Sequence, residues 1–416
     1  VEGVFTNTTP VDAYRGAGRP ESIYLIERLM AAAARETGLG RVGLRRRTLV
    51  PPGRMPYTTA LGQVFDSGDF PAALERALER AEWEDFPARR EEARTRGTLR
   101  GIGLCTYMEP CGGNRDQFAE IRFDRSGGAT VMIGSQSTGQ GHETAYAQLV
   151  ADQLGLAPER VRVIQGDTAV VGYGRGTSGS RSLPVGGAAL HIAGERVIAK
   201  ARRIAAHLLE ASEADIEHER GRFAVKGTDR ALGFAEIVAA AYEPARLPEG
   251  LDAGLDEIAH YMARPVTYPN GCHVCEIEID RETAEPRVVR YTIVDDYGRI
   301  VNPMLVEGQV HGGVAQGIGQ ALMEDCVYDA DGQPLTGSFM DYQMPRAADL
   351  SAFDLALNEV PCLTNPLGVK GCGEAGSIAA PPAVIDAVLD ALSDYGVTDI
   401  QMPATPRRIW EAMHRA

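Results

Sequence analysis

Apolar residues recur every three or four positions in several segments of the chain, a spacing that places them on one face of an α-helix. The clearest case is the segment 185–211, in which basic residues such as Arg196 and Arg203 occupy the opposite face. Shorter or weaker patterns predict helices at 21–37, 70–96, 144–154 and 383–392. The narrow apolar stripe of 70–96 is typical of a helix that lies on the protein surface.

Strand patterns lie between and around these helices. Alternating or continuous apolar runs predict strands at 1–7, 100–107, 118–124, 129–134, 160–165 and 275–280. We expect 100–107, 118–124 and 129–134 to belong to one sheet, and we place a domain boundary near Arg96-Gly97. The segment 41–66 is rich in arginine, proline and glycine, which predicts irregular chain.

Two glycine-containing loops each precede a predicted helix. Gly139-Gln140-Gly141-His142 comes before helix 144–154, and Ser180-Arg181-Ser182 comes before helix 185–211. The start of a helix presents free backbone amides and a positive dipole end, so two such starts predict a site for an anionic ligand. We expect His142 to form a hydrogen bond in this site rather than to bind a metal.

A carboxylate lies inside a glycine-rich turn near the C-terminus. Glu374 stands in the run 368–377, just before the predicted helix 383–392. Glycines let the backbone approach a bulky ligand and leave the carboxylate in a small apolar space, which raises its proton affinity as a general base requires. The alternative is a glutamate that only interacts with the helix N-terminus. Arg15 and Arg181 offer planar donors suited to oxyanions or phosphate, with structural ion pairs as the alternative.

Composition and charge restrict the class of protein. The chain has 416 residues and a formal net charge of -15, which disfavours nucleic acid and anionic membranes as partners. The sequence has no apolar run that approaches the roughly 20 residues of a membrane span and no signal-peptide pattern at its start, so we expect a cytoplasmic location. The seven cysteines are scattered, which predicts reduced thiols. Cys272 and Cys275 would point to opposite faces of a strand, which argues against a metal site.

Two glycine patterns match the spacing of a dinucleotide-binding loop. They lie at 174–179 and 371–376. The loop that follows the strand before 174 is too long for the required tight turn, and no acidic residue closes a second parallel strand about twenty residues further on. These features disfavour a nicotinamide-dependent dehydrogenase, which stays an alternative.

The motifs occur together in a pattern that resembles a known family. The blocks are 13–21, 138–144, 174–182 and 368–377, with 295–303 and 337–342. In this order and spacing they resemble the molybdenum-binding large subunit of the xanthine dehydrogenase, aldehyde oxidase and aerobic carbon monoxide dehydrogenase family. The resemblance implies an α+β fold of mixed sheets with flanking helices. It also implies that 1–96 ends a first molybdopterin-binding domain and that 97–416 forms a second.

The resemblance implies a chemistry for the site. Glu374 would be the general base of a molybdenum hydroxylase that adds water-derived oxygen to an aldehyde or an aromatic N-heterocycle. A molybdopterin cofactor, in its cytosine dinucleotide form, would hold the molybdenum through the pterin dithiolene, so no side chain is implied as a metal ligand. The implied cofactor contacts are Arg15, Gln140, Gly141, His142, Ser180, Arg181, Ser182 and Gly371.

The resemblance further implies partner subunits. The 2Fe-2S clusters and FAD would lie on an iron-sulfur subunit and a FAD subunit, in a dimer of heteromers. The chain begins with Val1, and cofactor segments that the family carries further upstream are absent, so we expect the upstream half of the subunit as a further partner. A non-catalytic structural half of a larger complex is the second alternative.

Two positions restrict the substrate. Carbon monoxide dehydrogenases carry a copper-binding cysteine where this chain has Gly16, so the resemblance does not imply a copper-molybdenum site. Xanthine-oxidising members carry a phenylalanine where Ala17 stands, so the usual contact with a purine is not implied either. An aldehyde and an aromatic N-heterocycle both remain open.

Overall fold

The computed structural model describes residues 3–6, 8, 10–111 and 116–415. Its helices are α1 (Arg19–Thr37), α2 (Arg41–Thr48), α3 (Phe70–Arg80), α4 (Phe86–Thr95), α5 (His142–Leu154), α6 (Ala188–Leu208), α7 (Phe234–Ala241), α8 (Pro303–Leu322), α9 (Ala375–Ala391) and α10 (Pro406–His414). Its strands are β1 (Tyr57–Thr58), β2 (Val64–Phe65), β3 (Thr98–Met108), β4 (Asp116–Phe123), β5 (Ala129–Ile133), β6 (Val161–Ile164), β7 (Ile216–Glu219), β8 (Arg222–Val225), β9 (Ala231–Gly233), β10 (Glu257–Met262), β11 (Asn270–Asp280), β12 (Pro286–Asp296) and β13 (Phe353–Leu357).

Two four-stranded sheets form the centre of the fold. The strand order is β13-β12-β11-β3 in the first sheet and β10-β4-β5-β6 in the second, and each sheet contains parallel and antiparallel pairs. Helix α9 packs on β3 and β11, and α8 packs on α9. Helices α5 and α6 pack on the second sheet. The predicted α+β fold of mixed sheets with flanking helices is therefore confirmed.

Helix α9 lies directly against strand β3. A Cβ atom added to Gly101 would collide with the backbone oxygen of Ala387, and one added to Gly103 would collide with that of Ala383. Only glycine allows two backbones to approach this closely. Because the residue number rises along the strand as it falls along the helix, the two elements run antiparallel.

The outer edge of β3 is closed by side chains of α9. The amide of Leu104 donates to Asp386 Oδ2 at 3.0 Å, and the amide of Ile102 donates to Asp390 Oδ2 at 2.9 Å. Arg41 Nη1 donates to the carbonyl of Ile102 at 2.7 Å. Unpaired edge groups are otherwise a template for association with another chain. Here the exposed side of the strand is paired within the fold.

The prediction that 100–107, 118–124 and 129–134 belong to one sheet is wrong. All three segments are strands, but β3 pairs with β11 in the first sheet, whereas β4 and β5 pair in the second. The prediction rested on the tendency of consecutive strands to be neighbours. Strand β11 comes much later in the chain, and the local pattern of β3 carries no information about so distant a partner.

The segments 41–66 and 70–96 also differ from their predictions. The first contains α2, a short 3₁₀ turn at Pro52–Arg54 and the β1-β2 pair. Packing against α1 stabilises α2 despite its polar sequence.

The segment 70–96 forms two helices, α3 and α4, instead of one. Glu82 adopts a left-handed backbone with φ 48°, and a proline in the first turn of α4 cannot continue a preceding helix. Helix α3 buries Leu74 against the first sheet, so it is not a surface helix.

The last predicted helix begins earlier than expected. Helix α9 starts at Ala375, although Pro381 and Pro382 lie inside it. Prolines inside a helix normally cost stability because each removes a backbone hydrogen bond. Almost the whole of α9 is buried, and this packing holds the helix through both prolines. Glu374 is consequently the residue that directly precedes the first turn of α9.

The other predicted helices and strands agree with the structure to within a few residues, apart from 1–7 and from 275–280, which is only the second half of β11. Residues 3–6 are irregular, and residues 1, 2 and 7 lie outside the described residues. Cys272 and Cys275 pack in different apolar clusters on the two faces of the first sheet, as predicted. The domain boundary near Arg96-Gly97 stays a prediction. Every helix in the described residues is too short or too polar to cross a lipid bilayer.

We expect Gly103→Ala to destabilise the fold by about 1–3 kcal/mol, the usual cost of overpacking a filled core. The added methyl group would collide with the backbone of α9. Urea unfolding measures the change. Gly43→Ala is the control, because nothing lies within 4 Å of its added Cβ and the substitution in a helix should be neutral or stabilising by up to about 1 kcal/mol. Equal effects of the two variants would contradict the contact between α9 and β3.

Candidate active site

A cavity of about 520 Å³ lies where loops from both sheets meet the starts of α5, α8 and α9. Its walls come mainly from 138–142, 177–184, 297–309 and 370–374. Of the residues predicted from the sequence, those that line it are Arg15, Gln140, His142, Ser180, Ser182, Gly371 and Glu374. The structure thus brings together segments that are far apart in the chain.

The loop 138–142 forms one wall and ends in the start of α5. Gly141 directly precedes the helix with φ 74°, and no described side chain caps this helix start. A Cβ atom on Gly141 would lie 2.6 Å from Leu305 Cδ2, so Gly141 packs directly against the side chain of Leu305 from α8. Gln140 Oε1 accepts a hydrogen bond from the amide of Thr138 at 2.5 Å. The turn is therefore held closed while the free amides of α5 remain at the cavity wall.

His142 is the first residue of α5. Burial lowers the pKa of its imidazole, so the ring is neutral at neutral pH. Its Nδ1 atom is buried and has no hydrogen-bond partner within the described part of the chain. A buried polar atom without a partner costs about 1–3 kcal/mol, so this nitrogen is suited to a ligand in the cavity.

The loop that contains Ser180 touches the loop that contains Glu374. Ser180 has a left-handed backbone with φ 52°. Its Oγ accepts a hydrogen bond from the amide of Glu374 at 3.0 Å and donates to Glu374 Oε2 at 3.4 Å. A Cβ atom on Gly371 would collide with the backbone oxygen of Ser180 and lie 2.6 Å from Cys111 Sγ. The absence of a side chain at Gly371 is therefore required for this contact.

Arg181 does not line the cavity. Its side chain is buried, with Nη2 donating to Gln117 Oε1 at 2.7 Å and to the carbonyl of Asp116 at 2.5 Å. Nη1 donates to the carbonyl of Gly176 at 3.1 Å. The guanidinium lies outside the cavity wall, and neighbouring oxygens accept the hydrogen bonds of its Nη1 and Nη2 atoms. The side chain holds the loop 176–182 from behind.

Arg15 lines the cavity and also joins two of its walls. Its Nε donates to the carbonyl of Gly373 at 2.5 Å, and its Nη1 and Nη2 donate to Gln316 Oε1 at 2.8 Å and to the carbonyl of Gln309 at 3.0 Å. Burial lowers the pKa of this guanidinium, which nevertheless stays charged at any physiological pH. Arg15 thereby ties α8 to the backbone just before Glu374.

Two charged neighbours of Glu374 were missed in the sequence. Glu109 follows the end of β3 and is fully buried. Burial, and next the adjacent Glu374 carboxylate, raise the pKa of Glu109 to about 8. Arg19 Nη1 lies 4.0 Å from Glu374 Oε2, and its Nη2 donates to the carbonyl of Pro110 at 2.6 Å. The sequence signal that could have indicated Glu109 is a carboxylate just after a predicted strand and directly before Pro110.

A buried polar network supports the wall beside Glu374. Lys370 Nζ lies 2.6 Å from Asp296 Oδ2, and both side chains are inaccessible to solvent. The hydroxyl of Tyr297 donates to Asp295 Oδ2 at 2.5 Å, and that of Tyr107 donates to Asp295 Oδ1 at 3.0 Å. Further polar residues of the wall that were not assigned from the sequence are Arg299, Asn302, Gln309 and Gln316.

The two glycine patterns that match dinucleotide-binding spacing do not form such a loop. Residues 174–179 lie in irregular chain between β6 and a π-helical turn, Ser182–Gly187, that leads into α6. Residues 371–376 lead into the first turn of α9, which begins at Ala375, but they follow an isolated bridge at Val369 rather than a strand. The second sheet also contains antiparallel pairs, unlike a doubly wound parallel sheet. The nicotinamide alternative therefore has no structural support in these segments.

Comparison with known proteins identifies the family. A family model described as a molybdopterin cofactor-binding domain matches residues 76–351, and a second model of the same description matches residues 1–49. The chain belongs to the molybdopterin cofactor-binding domain family. The predicted resemblance to molybdenum-binding large subunits is confirmed.

Relatives share the sequence over nearly the whole of this chain. The carbon monoxide dehydrogenase large chain of Hydrogenophaga pseudoflava is 38% identical over 433 residues, which cover 99% of this chain and 53% of that protein. The 6-hydroxypseudooxynicotine dehydrogenase complex subunit gamma of Paenarthrobacter nicotinovorans is 38% identical over 416 residues, with coverage of 99% and 52%. The crystal structure of quinoline 2-oxidoreductase from Pseudomonas putida 86 matches with a TM-score of 0.92 at 37% identity, covering 97% of this chain and 53% of that one. The chain spans about half the length of these relatives.

We expect Gly371→Ala to destabilise the protein by about 1–3 kcal/mol, because the methyl group would drive the Glu374 loop away from Ser180. Thermal or urea unfolding measures the effect. Gly172→Ala adds the same methyl group where nothing lies within 4 Å, and it should change stability by less than about 0.5 kcal/mol. A Gly371→Ala protein as stable as the Gly172→Ala control would show that the two loops are not in contact.

Proposed function

We propose that this chain belongs to a molybdenum hydroxylase, in which it carries the general base Glu374 and one wall of the cofactor site. The observation that carries the proposal is the position of Glu374 at the start of α9, in the wall of the 520 Å³ cavity. The loops 138–142 and 177–184 line the same cavity. A base and an anion-binding surface therefore face one space.

The residues of the cavity fit a pterin dinucleotide. The uncapped start of α5 offers backbone amides to a pyrophosphate, and the unpartnered Nδ1 of His142 offers one more polar contact among the described residues. Gly139 leaves open space, since nothing lies within 4 Å of a Cβ atom placed there. We assign cofactor contacts to Gln140, Gly141, His142, Ser180, Ser182 and Gly371. Arg15 and Arg181 hold the loops that line the cavity in position. We propose the cytosine dinucleotide form of the molybdopterin cofactor.

Glu374 has the surroundings that proton abstraction needs. When bound, the cofactor supplies the two-electron redox chemistry and activates oxygen derived from water. Glu374 accepts the proton released as that oxygen becomes bonded to the substrate carbon. The Ser180 hydroxyl and the Arg19 guanidinium hold its Oε2 atom, and the contact between Arg15 and Gly373 fixes the backbone in front of it.

An aromatic N-heterocycle is the favoured substrate class, with an aldehyde as the second. The relatives named for quinoline and for 6-hydroxypseudooxynicotine support the first. At Gly16 the backbone has φ 104°, and a Cβ atom would lie 2.7 Å from the ring of Pro20. A copper-binding cysteine at this position would therefore be strained.

The electrons would leave this chain for partner subunits. Two relatives are named as a large chain and as one subunit of a complex, which supports a multi-subunit enzyme. We propose 2Fe-2S and FAD subunits, the upstream half of the large subunit, a dimer of heteromers and a cytoplasmic location. The net charge of -15 suits protein partners better than nucleic acid.

We expect Glu374→Gln to lower kcat by about a hundred- to ten-thousand-fold, the range for a positioned base. Molybdenum content should stay near that of the wild type, because the amide keeps the shape of the side chain. Turnover of quinoline by the assembled enzyme with an artificial electron acceptor, alongside metal analysis, measures both. Glu285→Gln, on an exposed turn, is the control. A Glu374→Gln enzyme within about tenfold of wild-type activity would rule out this base.

We also expect the assembled enzyme to contain molybdenum without stoichiometric copper and not to oxidise carbon monoxide. The reason is the lack of a thiol at Gly16. Metal analysis after chelation and an assay with carbon monoxide test this. Copper retained at a one-to-one ratio with molybdenum would contradict it.

A further inference from the structure

A second carboxyl group lies behind the proposed base. Glu109 is fully buried and is not part of the cavity wall. Its Oε1 atom accepts a hydrogen bond from Cys111 Sγ at 3.6 Å, and Oε2 has no hydrogen-bond partner in the portion of the chain that the structure describes. Glutamate is rarely fully buried unless it is paired, so this side chain requires a physical explanation.

The packing of α9 on β3 brings Glu109 to Glu374. Gly101 faces Ala387, and Gly103 faces Ala383, so two strand residues match four helical residues. The lengths agree, at about 6.6 Å for two strand residues and about 6 Å for four helical residues. Two further steps of the same size from Gly103 and Ala383 reach the end of β3 and the first residue of α9, and Glu109 and Glu374 lie just beyond these two ends. The two carboxyl groups therefore meet as a consequence of the register between strand and helix.

The charged and polar groups around this carboxyl pair come from α1, the Ser180 loop, the segment after β3 and the loop before α9. Arg19, at the start of α1, lies 4.0 Å from Glu374 Oε2 and binds the carbonyl next to Glu109. Ser180 supplies its hydroxyl from the opposite loop, and Cys111 and the buried Cys372 supply thiols. Two adjacent carboxyl groups in a buried site cannot both be ionised cheaply, even beside the guanidinium of Arg19.

We propose that Glu109 keeps its proton and donates it in a hydrogen bond to Glu374, so that Glu374 is the ionised and oriented member of the pair. This inference rests on the proposed function of Glu374 as the base. Glu109 is a positioning residue: it keeps its own proton in the hydrogen bond to Glu374, and Glu374 accepts the proton that the reaction releases. No proton is transferred to Glu109 during turnover.

The direction of the titration follows from the surroundings. Burial first, and the neighbouring carboxylate of Glu374 second, raise the pKa of Glu109 from 4.5 to about 8. An acid with a raised pKa is protonated below that value and ionises above it. As the pH passes about 8 the pair becomes doubly negative, the hydrogen bond is lost, and turnover falls on the alkaline side.

The test compares Glu109→Gln with Glu109→Leu in the assembled, molybdenum-loaded enzyme. The amide keeps a neutral hydrogen-bond donor at this position, so Glu109→Gln should retain kcat for quinoline within about tenfold near neutral pH and lose the alkaline decline. Glu109→Leu removes the hydrogen bond and should lower kcat at every pH. Glu27→Gln is the matched control, because Glu27 is another buried glutamate, with a pKa raised to about 7 by burial and no place in the cavity wall. It should leave the pH profile of kcat unchanged.

Two measurements do not depend on turnover. The pKa of Glu109 is higher in the folded state, at about 8, than the ordinary value of 4.5 that it has in the unfolded chain. Its contribution to the free energy of unfolding is therefore complete below pH 4.5 and is lost as the pH rises to about 8. Glu109→Gln should therefore flatten the fall of the unfolding free energy across this interval. Infrared spectra of the wild-type enzyme should show a protonated-carboxyl band that disappears near pH 8 and is missing in Glu109→Gln but present in Glu27→Gln.

The outcomes separate this inference from the proposed function. If Glu374→Gln is active, the assignment of the base fails whatever Glu109 does. If Glu374→Gln is inactive but Glu109→Gln keeps the alkaline decline and the infrared band, the role of Glu109 is refuted. If Glu109→Gln does not assemble, infrared titrations of the wild-type enzyme and of Glu27→Gln decide. A protonated-carboxyl band that both proteins show and that disappears near pH 8 supports the inference. The lack of such a band overturns it.

Discussion

The direct contact between α9 and β3 is the constraint on which the candidate site depends. Gly101 and Gly103 leave no side chain between the strand and the helix, so the two backbones lie as close as packing allows. Because the elements run antiparallel, the end of β3 and the start of α9 occupy the same place. That place holds Glu109 and Glu374. A side chain at either glycine would shift the helix and displace the proposed base with it.

A second close contact joins this pair to the other half of the site. The backbone of Gly371 lies against Ser180, whose hydroxyl and carbonyl meet the Glu374 loop. The loops from the second sheet carry helix starts, whereas the first sheet and α9 carry the acidic pair. Amides suited to an anion and a carboxylate suited to a proton are thereby placed around one cavity, with Arg15 in its wall and Arg19 beside the carboxylate.

Prediction from the sequence succeeded where the signal is local. The periodic helix 185–211 and the loop at Gly141 could be recognised because side-chain spacing and glycine placement are properties of neighbouring residues. The resemblance to known large subunits was equally accessible, since the loops occur in a characteristic order. The partner of β3 and the break between α3 and α4 were missed. The partner of β3 lies far away in the chain, and no local pattern contains it. The break between α3 and α4 has a local signal, the proline in the first turn of α4, which the weak apolar stripe across 70–96 obscured.

The sequence by itself determined the class of fold and the family, and seven of the nine residues assigned to the site from the sequence line the cavity. Motif order and periodicity are local properties of the chain. Only the tertiary structure decided the direction of the Arg181 guanidinium, which turns to Asp116 and Gln117 instead of the cavity. It alone placed the buried Glu109 beside Glu374. The physical reason is that burial and charge pairing arise between segments, so the proton affinity of a carboxyl group is fixed only when distant parts of the chain pack together.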